Sequence, residues 1–140
     1  MTESFRIPYP ASPKGKSEWS KKYGMNAYYS GKHWSQRKED AEYWHYKTLA
    51  AMQKYKCRKT PFERPVIISF RWNDKLDLDN HAVMAKMIVD AMKGRMIKDD
   101  SRKYLVGVEH YFHDADFISV TVMETGIEPV DGEKSSWSLD

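Results

Sequence analysis

Cysteine is all but absent from this chain of 140 residues. Cys57 stands alone, so no internal disulfide can form, and a reducing cytoplasm is the simplest setting. No apolar run approaches membrane-spanning length, and the N-terminus lacks the apolar core of a secretory signal, so a soluble intracellular protein is expected. A Gly-rich phosphate loop, a Ser/His/Asp triad signature and a Cys/His metal cluster are all missing. Those absences leave the acidic residues as the place to look for chemistry.

What is present suits one globular domain, with 41% hydrophobic and 31% charged residues. The net charge is +3, too small by itself to name a partner, but it is unevenly spread. Residues 126–140 carry Glu128, Asp131, Glu133 and Asp140 against Lys134. They have few core-forming residues and read as a disordered acidic tail. The body, residues 1–125, is therefore more positive than the whole, and a positive body around an acidic pocket fits a phosphodiester substrate bridged by metal.

The acidic pocket is read from Asp77-Leu78-Asp79-Asn80, a helical run Ala82 to Met92 ended by Gly94, and then Asp99-Asp100. Two carboxylates one residue apart in an extended segment share a face. Their oxygens can converge on a hard cation. Asn80 suits the cap of the following helix. A hairpin back from that helix would return a third carboxylate, and three such groups repel unless a cation neutralises them. An EF-hand is excluded, because its sixth and twelfth positions fall on Ala82 and Ile88 rather than on glycine and glutamate. The competing reading is a set of solvated aspartates flanking an ordinary amphipathic helix, with Lys86 and Asp90 as an i,i+4 ion pair.

Asp77-Leu78-Asp79-Asn80, Lys86 with Asp90-Ala91-Met92, and Asp99-Asp100 together resemble the RusA-type Holliday junction resolvases of phages and prophages. Phe5-Arg6-Ile7-Pro8-Tyr9-Pro10 is similar to that family's first strand, and Asn26-Ala27-Tyr28-Tyr29 to its asparagine-plus-aromatic segment. The likeness covers most of residues 4–124. It implies a dimeric endodeoxyribonuclease of DNA recombination and repair, in the cytoplasm of a bacterium or phage-infected host, that nicks four-way junctions symmetrically. It implies Mg²⁺, with Mn²⁺ as a substitute, held by Asp77, Asp79 and Asp100, with Asp99 as an outer group or alternative ligand. Lys86 matches the family's active-site lysine, with one departure: His81-Ala82-Val83-Met84-Ala85 intervene, where the family's lysine follows the acidic motif more closely. Three extra helical residues shift azimuth by about 300° and add ~4.5 Å of rise. If the helix starts at the family's place, Val83 takes the lysine's position; if the extra residues precede the helix, Lys86 keeps it.

Taken in order, Ser4 to Tyr9 reads as a strand stopped by Pro8 and Pro10. Residues 11–25, with Lys14, Lys16, Lys21 and Lys22, read as a mobile basic loop, either a solvated linker or a flap that closes on the DNA backbone. Lys32 lies among Tyr28, Tyr29, His33 and Trp34, which can stack on unpaired bases or pack as the lip of the core, the second being favoured for Trp34. Ser35 would cap a helix reaching about Tyr55, with Ala41, Trp44, Thr48, Met52 and Tyr55 buried and Arg37 and Lys38 available to DNA. Lys54, Lys56, Arg58, Lys59 and Arg64 form a second candidate phosphate contact.

Val66, Ile68, Phe70 and Trp72 form the apolar face of a strand that leads into the acidic motif. A methionine-rich core stripe of Met84, Met87, Ile88 and Ala91 marks the helix from about Asn80 to Lys93. Residues 104–112 and 117–123 read as strands joined by a hairpin turn at 113–116, with Val106, Val108 and Phe112 on one face and Ile118, Val120 and Val122 on another. His110 and His113 point to opposite faces at that spacing, which dismisses zinc. The expected fold is α+β, a four-stranded mixed sheet with two α-helices packed on it. The expected activity is hydrolysis of a DNA phosphodiester by metal-activated water, with Lys86 stabilising developing charge. The alternative is a noncatalytic branched-DNA-binding relative of the same fold.

Overall fold

The computed structural model describes residues 1–25 and 32–129, and eight elements are defined among these described residues. These are β1 (Thr2–Pro8), α1 (Pro13–Tyr23), α2 (Trp34–Lys54), β2 (Val66–Trp72), a 3₁₀ turn (Leu78–His81), α3 (Ala82–Met92), β3 (Leu105–Phe112) and β4 (Phe117–Glu124). The four strands form one mixed sheet in the order β1-β4-β2-β3. β4 runs antiparallel to both β1 and β2, with Val120 opposite Phe5 on one side and Phe70 on the other. β3 runs parallel to β2, with His110 opposite Phe70. A parallel pair needs a crossover, and α3 supplies it. The fold is α+β, as the element order predicts.

Strand alternation builds the core. Ile68, Phe70 and Trp72 of β2 are fully buried, as are Ile118, Val120 and Val122 of β4. Each such side chain contributes roughly 1.5–3 kcal/mol by leaving water. Met84, Ile88 and Met92 of α3 and Trp44 and Met52 of α2 join the same cluster. The buried stripe of α2 is Asp40, Trp44, Thr48, Ala51 and Met52. Ala41 and Tyr55, expected inside, are exposed, because the helix is rotated to bury the Asp40 side rather than the Ala41 side. Trp34, expected to pack as a lip of the core, is exposed at the helix start, and His33 rather than Ser35 is the cap, its ring nitrogen accepting from the Ser35 N–H.

Two further expectations are corrected. Residues 11–25 hold a helix, α1, rather than a loop. Ser12 caps it by accepting from the Gly15 N–H, Pro13 sits in its first turn, and Trp19, Ser20 and Tyr23 are buried. Trp19 and Tyr23 each meet Trp44 edge-on at 5.4 Å between ring centroids, so the segment is stapled to the core by aromatics. The link at 113–116 does not make a hairpin, since β2 lies between β3 and β4. It passes over the end of β2 instead, with the His113 N–H donating to the Trp72 carbonyl and Asn73 Nδ2 to the Ala115 carbonyl. On β3, Val108 and Phe112 pair with Ile68 and Trp72 and share their face, but at the sheet edge they are exposed. Of the tail, Gly126 and Glu128 are tied to Arg64; residues 130–140, like Asn26-Ala27-Tyr28-Tyr29, lie outside the described residues.

Candidate functional site

The acidic motif sits where β2 gives way to α3. It is not extended: Asp77 precedes a 3₁₀ turn whose first bond joins the Asn80 N–H to the Asp77 carbonyl. Asn80 therefore lies inside the turn rather than capping a helix, and α3 begins at Ala82, after His81. Leu76 and Leu78 pack against the core while Asp77 and Asp79 are exposed. Anchoring leucines, rather than strand alternation, keep both carboxylates in solvent.

The turn rests on a buried polar brace. The Asp74 carboxylate accepts from Tyr9 Oη at 2.8 Å, from the Leu76 N–H at 3.0 Å and from His81 Nε2 at 2.8 Å. The other ring nitrogen of His81 lies 3.1 Å from the Leu78 carbonyl oxygen. Both ring nitrogens thus face oxygen atoms. Burial works against a charge on Asp74, but the hydrogen bonds from His81, Tyr9 and Leu76 outweigh it and hold the carboxyl below its ordinary value. Burial, with the Asp74 charge adding to it, pushes the Tyr9 phenol far up, so it stays a donor. His81 also stacks on Trp72 at 4.3 Å, and the Trp72 indole donates to His110 Nδ1 at 3.0 Å. Burial and the nearby His81 lower the His110 pKa, which suits a neutral ring that accepts this bond. His110 thus serves a packed network rather than a zinc site.

Spacing rules overlook this brace, because Asp74 and His81 look like ordinary loop residues at either end of the motif. The only sequence signal is that a histidine and an aspartate seven residues apart flank a segment whose leucines alternate inward.

Val83 and Lys86 lie on different sides of α3. Val83 is buried, whereas Lys86 projects into solvent and reaches Asp100 at 3.9 Å and Asp90 at 3.5 Å. The 3₁₀ turn, Leu78–His81, separates Asp77 from the start of α3 at Ala82. Lys86 and Asp100, with His110 and Ala82, line a groove of about 330 Å³ between α3 and β3. Lys93 approaches Asp100 at 3.6 Å and Asp90 at 3.3 Å, and hydrogen bonding to Asp90 raises its pKa. Asp99 is exposed beside this cluster.

The carboxylates supply the hard oxygen donors a divalent cation prefers, and Asp77 and Asp79 have no side-chain partner among the described residues. They are not gathered into a cage: among the described residues no three acidic, histidine or cysteine side chains stand together as a metal site. Asp100 is instead turned toward two lysine ammoniums. The pair on the turn offers two exposed carboxylate donors, and Asp100 is engaged by Lys86 and Lys93.

The basic residues divide into two groups. Lys16 and Lys21 of α1 line a cleft of about 500 Å³ with Lys75, directly before the acidic turn. Gly24 fits α1 to that turn, since a Cβ there would lie 3.1 Å from Leu76 and 3.3 Å from Asn80. Lys14 and Lys38 are exposed, and Arg37 is half-buried. Lys16 bonds Asp116 at 3.1 Å. Lys32, expected at the DNA surface, is almost covered and bonds the buried Asp40, which Lys22 approaches at 3.8 Å. Lys32 is therefore a structural counter-charge. Arg58 and Arg64, from the second basic cluster, are likewise engaged, Arg58 over the Phe62 ring and Arg64 with Glu128. No helix among the described residues is long and apolar enough to cross a membrane. No protein-family model and no curated protein matches this chain.

Proposed function

We propose that this protein is a RusA-type, Mg²⁺-dependent endodeoxyribonuclease that resolves four-way DNA junctions by paired, symmetric nicks. The observation that carries the reading is the meeting of Lys86 and Asp100, fourteen residues apart in the chain, in a groove that begins at Ala82, immediately after the Asp77–Asp79 turn. It joins the second and third pieces of the motif, and the first lies on the turn that precedes the groove.

Asp77 and Asp79 would hold the cation, with Asp100 as the third ligand and Asp99 as its alternate; Mn²⁺ would serve in place of Mg²⁺. The bound metal supplies an activated water and neutralises charge on the phosphate. Lys86, exposed beside Asp100, would meet the negative charge on the scissile phosphate or the leaving oxygen. The Asp74–His81 brace fixes the turn beneath its two carboxylates. Lys14, Lys21 and Lys75 hold the DNA backbone beside it, with Lys38 and Arg37 extending the contact from α2. Two symmetric cuts call for a C2 dimer, with sedimentation at micromolar concentration as its test.

The test is incubation with a labelled four-way junction and with matched duplex, in Mg²⁺ or in EDTA. Paired nicks in the junction alone, and only with Mg²⁺, are expected. A noncatalytic branched-DNA-binding relative is the second reading, favoured by the two lysines held against Asp100. Junction binding without cutting in any divalent metal would establish that reading and end the first.

A further inference from the structure

A second groove, beside the core-packing stripe of α2 and bordered by its Ala51, has a composition the nuclease site does not use. It encloses about 340 Å³ between α2 and the β1 edge, and its lining includes Arg6, Tyr46, Lys47, Lys54, Tyr55 and Phe117. Three cations and three aromatic rings line it, and no carboxylate does. The helical spacing makes this a stripe: Tyr46 and Lys54 are eight residues apart, and so are Lys47 and Tyr55, roughly 12 Å along the axis.

The cations here have no carboxylate partner among the described residues. Lys16, Lys22, Lys32, Lys86 and Lys93 are each within ion-pair distance of a carboxylate. Among the described residues, Arg6, Lys47 and Lys54 have none; Arg6 lies 4.3 Å over the Phe117 ring and Lys54 5.7 Å from that of Tyr55. Tyr46 is 71% exposed, a large ring left in water with no packing to explain it. Exposed rings interleaved with unpaired cations are the chemistry that holds an unpaired nucleic-acid strand. Bases stack on the rings, and phosphates meet the cations.

We infer that the Arg6–Tyr46–Lys54 groove is a binding site for single-stranded nucleic acid, separate from the acidic turn. Tyr46 and Tyr55 offer stacking faces for unpaired bases, and Arg6, Lys47 and Lys54 contact the flanking phosphates. The inference reaches beyond the cleavage reading and stands without it, because the binding needs no metal.

The probe is a fluorescein-labelled oligo-deoxythymidine of about 12 nucleotides, titrated with the full chain in EDTA and followed by anisotropy. Tyr46→Ala should weaken binding by about five-fold or more, the low end of what one lost stacking ring costs, while Tyr46→Phe, which keeps the ring, should bind like the wild type. Lys47→Ala combined with Lys54→Ala should reduce the slope of log affinity against log salt by about 1.4, the share of two phosphate contacts on a single strand. Tyr46 and both lysines are surface residues, and circular dichroism of each variant guards against misfolding. Unchanged affinity in Tyr46→Ala, an equal loss in Tyr46→Phe, or no single-strand binding by the wild type at low salt would overturn the inference. A junction assay in Mg²⁺ on the same variants distinguishes this failure from failure of the nuclease reading, since neither result dictates the other.

Discussion

His81 Nε2 stands 2.8 Å from the Asp74 carboxylate, and both side chains are fully buried. The pair closes the base of the acidic turn, so its loss should be felt in the whole fold. Asp74→Ala leaves a buried donor ring and a buried phenol without their acceptor, and should cost about 3 kcal/mol or more in urea unfolding. Asp77→Ala, three residues away but exposed, should change stability by no more than about 0.5 kcal/mol. Equal effects at the two positions would contradict the brace.

Stability should also fall on the acid side. His110 has a folded pKa below its ordinary value, through burial and the neighbouring His81, and Asp74 is lowered by its hydrogen bonds against the opposing effect of burial. A lowered folded pKa gives stability that is complete above the unfolded value and is lost as pH falls through the folded one. The His110 contribution should therefore begin to fail below about pH 6.5, and the Asp74 contribution only below about pH 3.9. Urea midpoints from pH 7 to pH 5 should decline in the wild type and decline less in His110→Gln. Identical slopes would remove His110 from the account.

Lys32 and Lys38 are both lysines in the basic region, but the structure separates them. Lys32 bonds the buried Asp40, whereas Lys38 is exposed. Lys32→Ala should destabilise by about 3 kcal/mol, because the buried carboxylate is left with the longer approach of Lys22. Lys38→Ala should leave the thermal midpoint almost unchanged and weaken junction binding uniformly across sequences. Thermal unfolding of the two variants checks the contrast.

Lys86 is well exposed, and its contacts to Asp90 and Asp100 are long. Surface pairs of that kind contribute little, so Lys86→Ala should keep its stability within about 0.5 kcal/mol. If the lysine meets phosphate charge, the same variant should lose junction cleavage by about 100-fold. A stable Lys86→Ala protein with full activity would confine Lys86 to a helical ion pair.

Where side chains obeyed one period, the sequence was legible. Val66, Ile68, Phe70 and Trp72 announce β2, Ile118, Val120 and Val122 announce β4, and all are buried. The mixed four-stranded sheet follows from the order of elements. α1 was hidden because lysines dominate its surface, and only the i,i+4 pair Trp19 and Tyr23 carries its apolar side. The β3–β4 link was misread because four residues suit a hairpin and equally suit a step across β2. At the site, Asp77, Asp79, Lys86 and Asp100 stood out by spacing. Asp74 did not, since burial and three hydrogen bonds are properties of the folded chain.

Cleavage of a labelled four-way junction by Asp79→Asn protein, set beside wild type in Mg²⁺ and in EDTA, tests the central claim most directly. Asp79 is exposed and has no structural partner among the described residues, so the variant should fold and bind the junction as tightly as the wild type, or more tightly. It should not cut. Symmetric nicking by Asp79→Asn at the wild-type rate, or nicking by the wild type in EDTA, would contradict the proposed metal site.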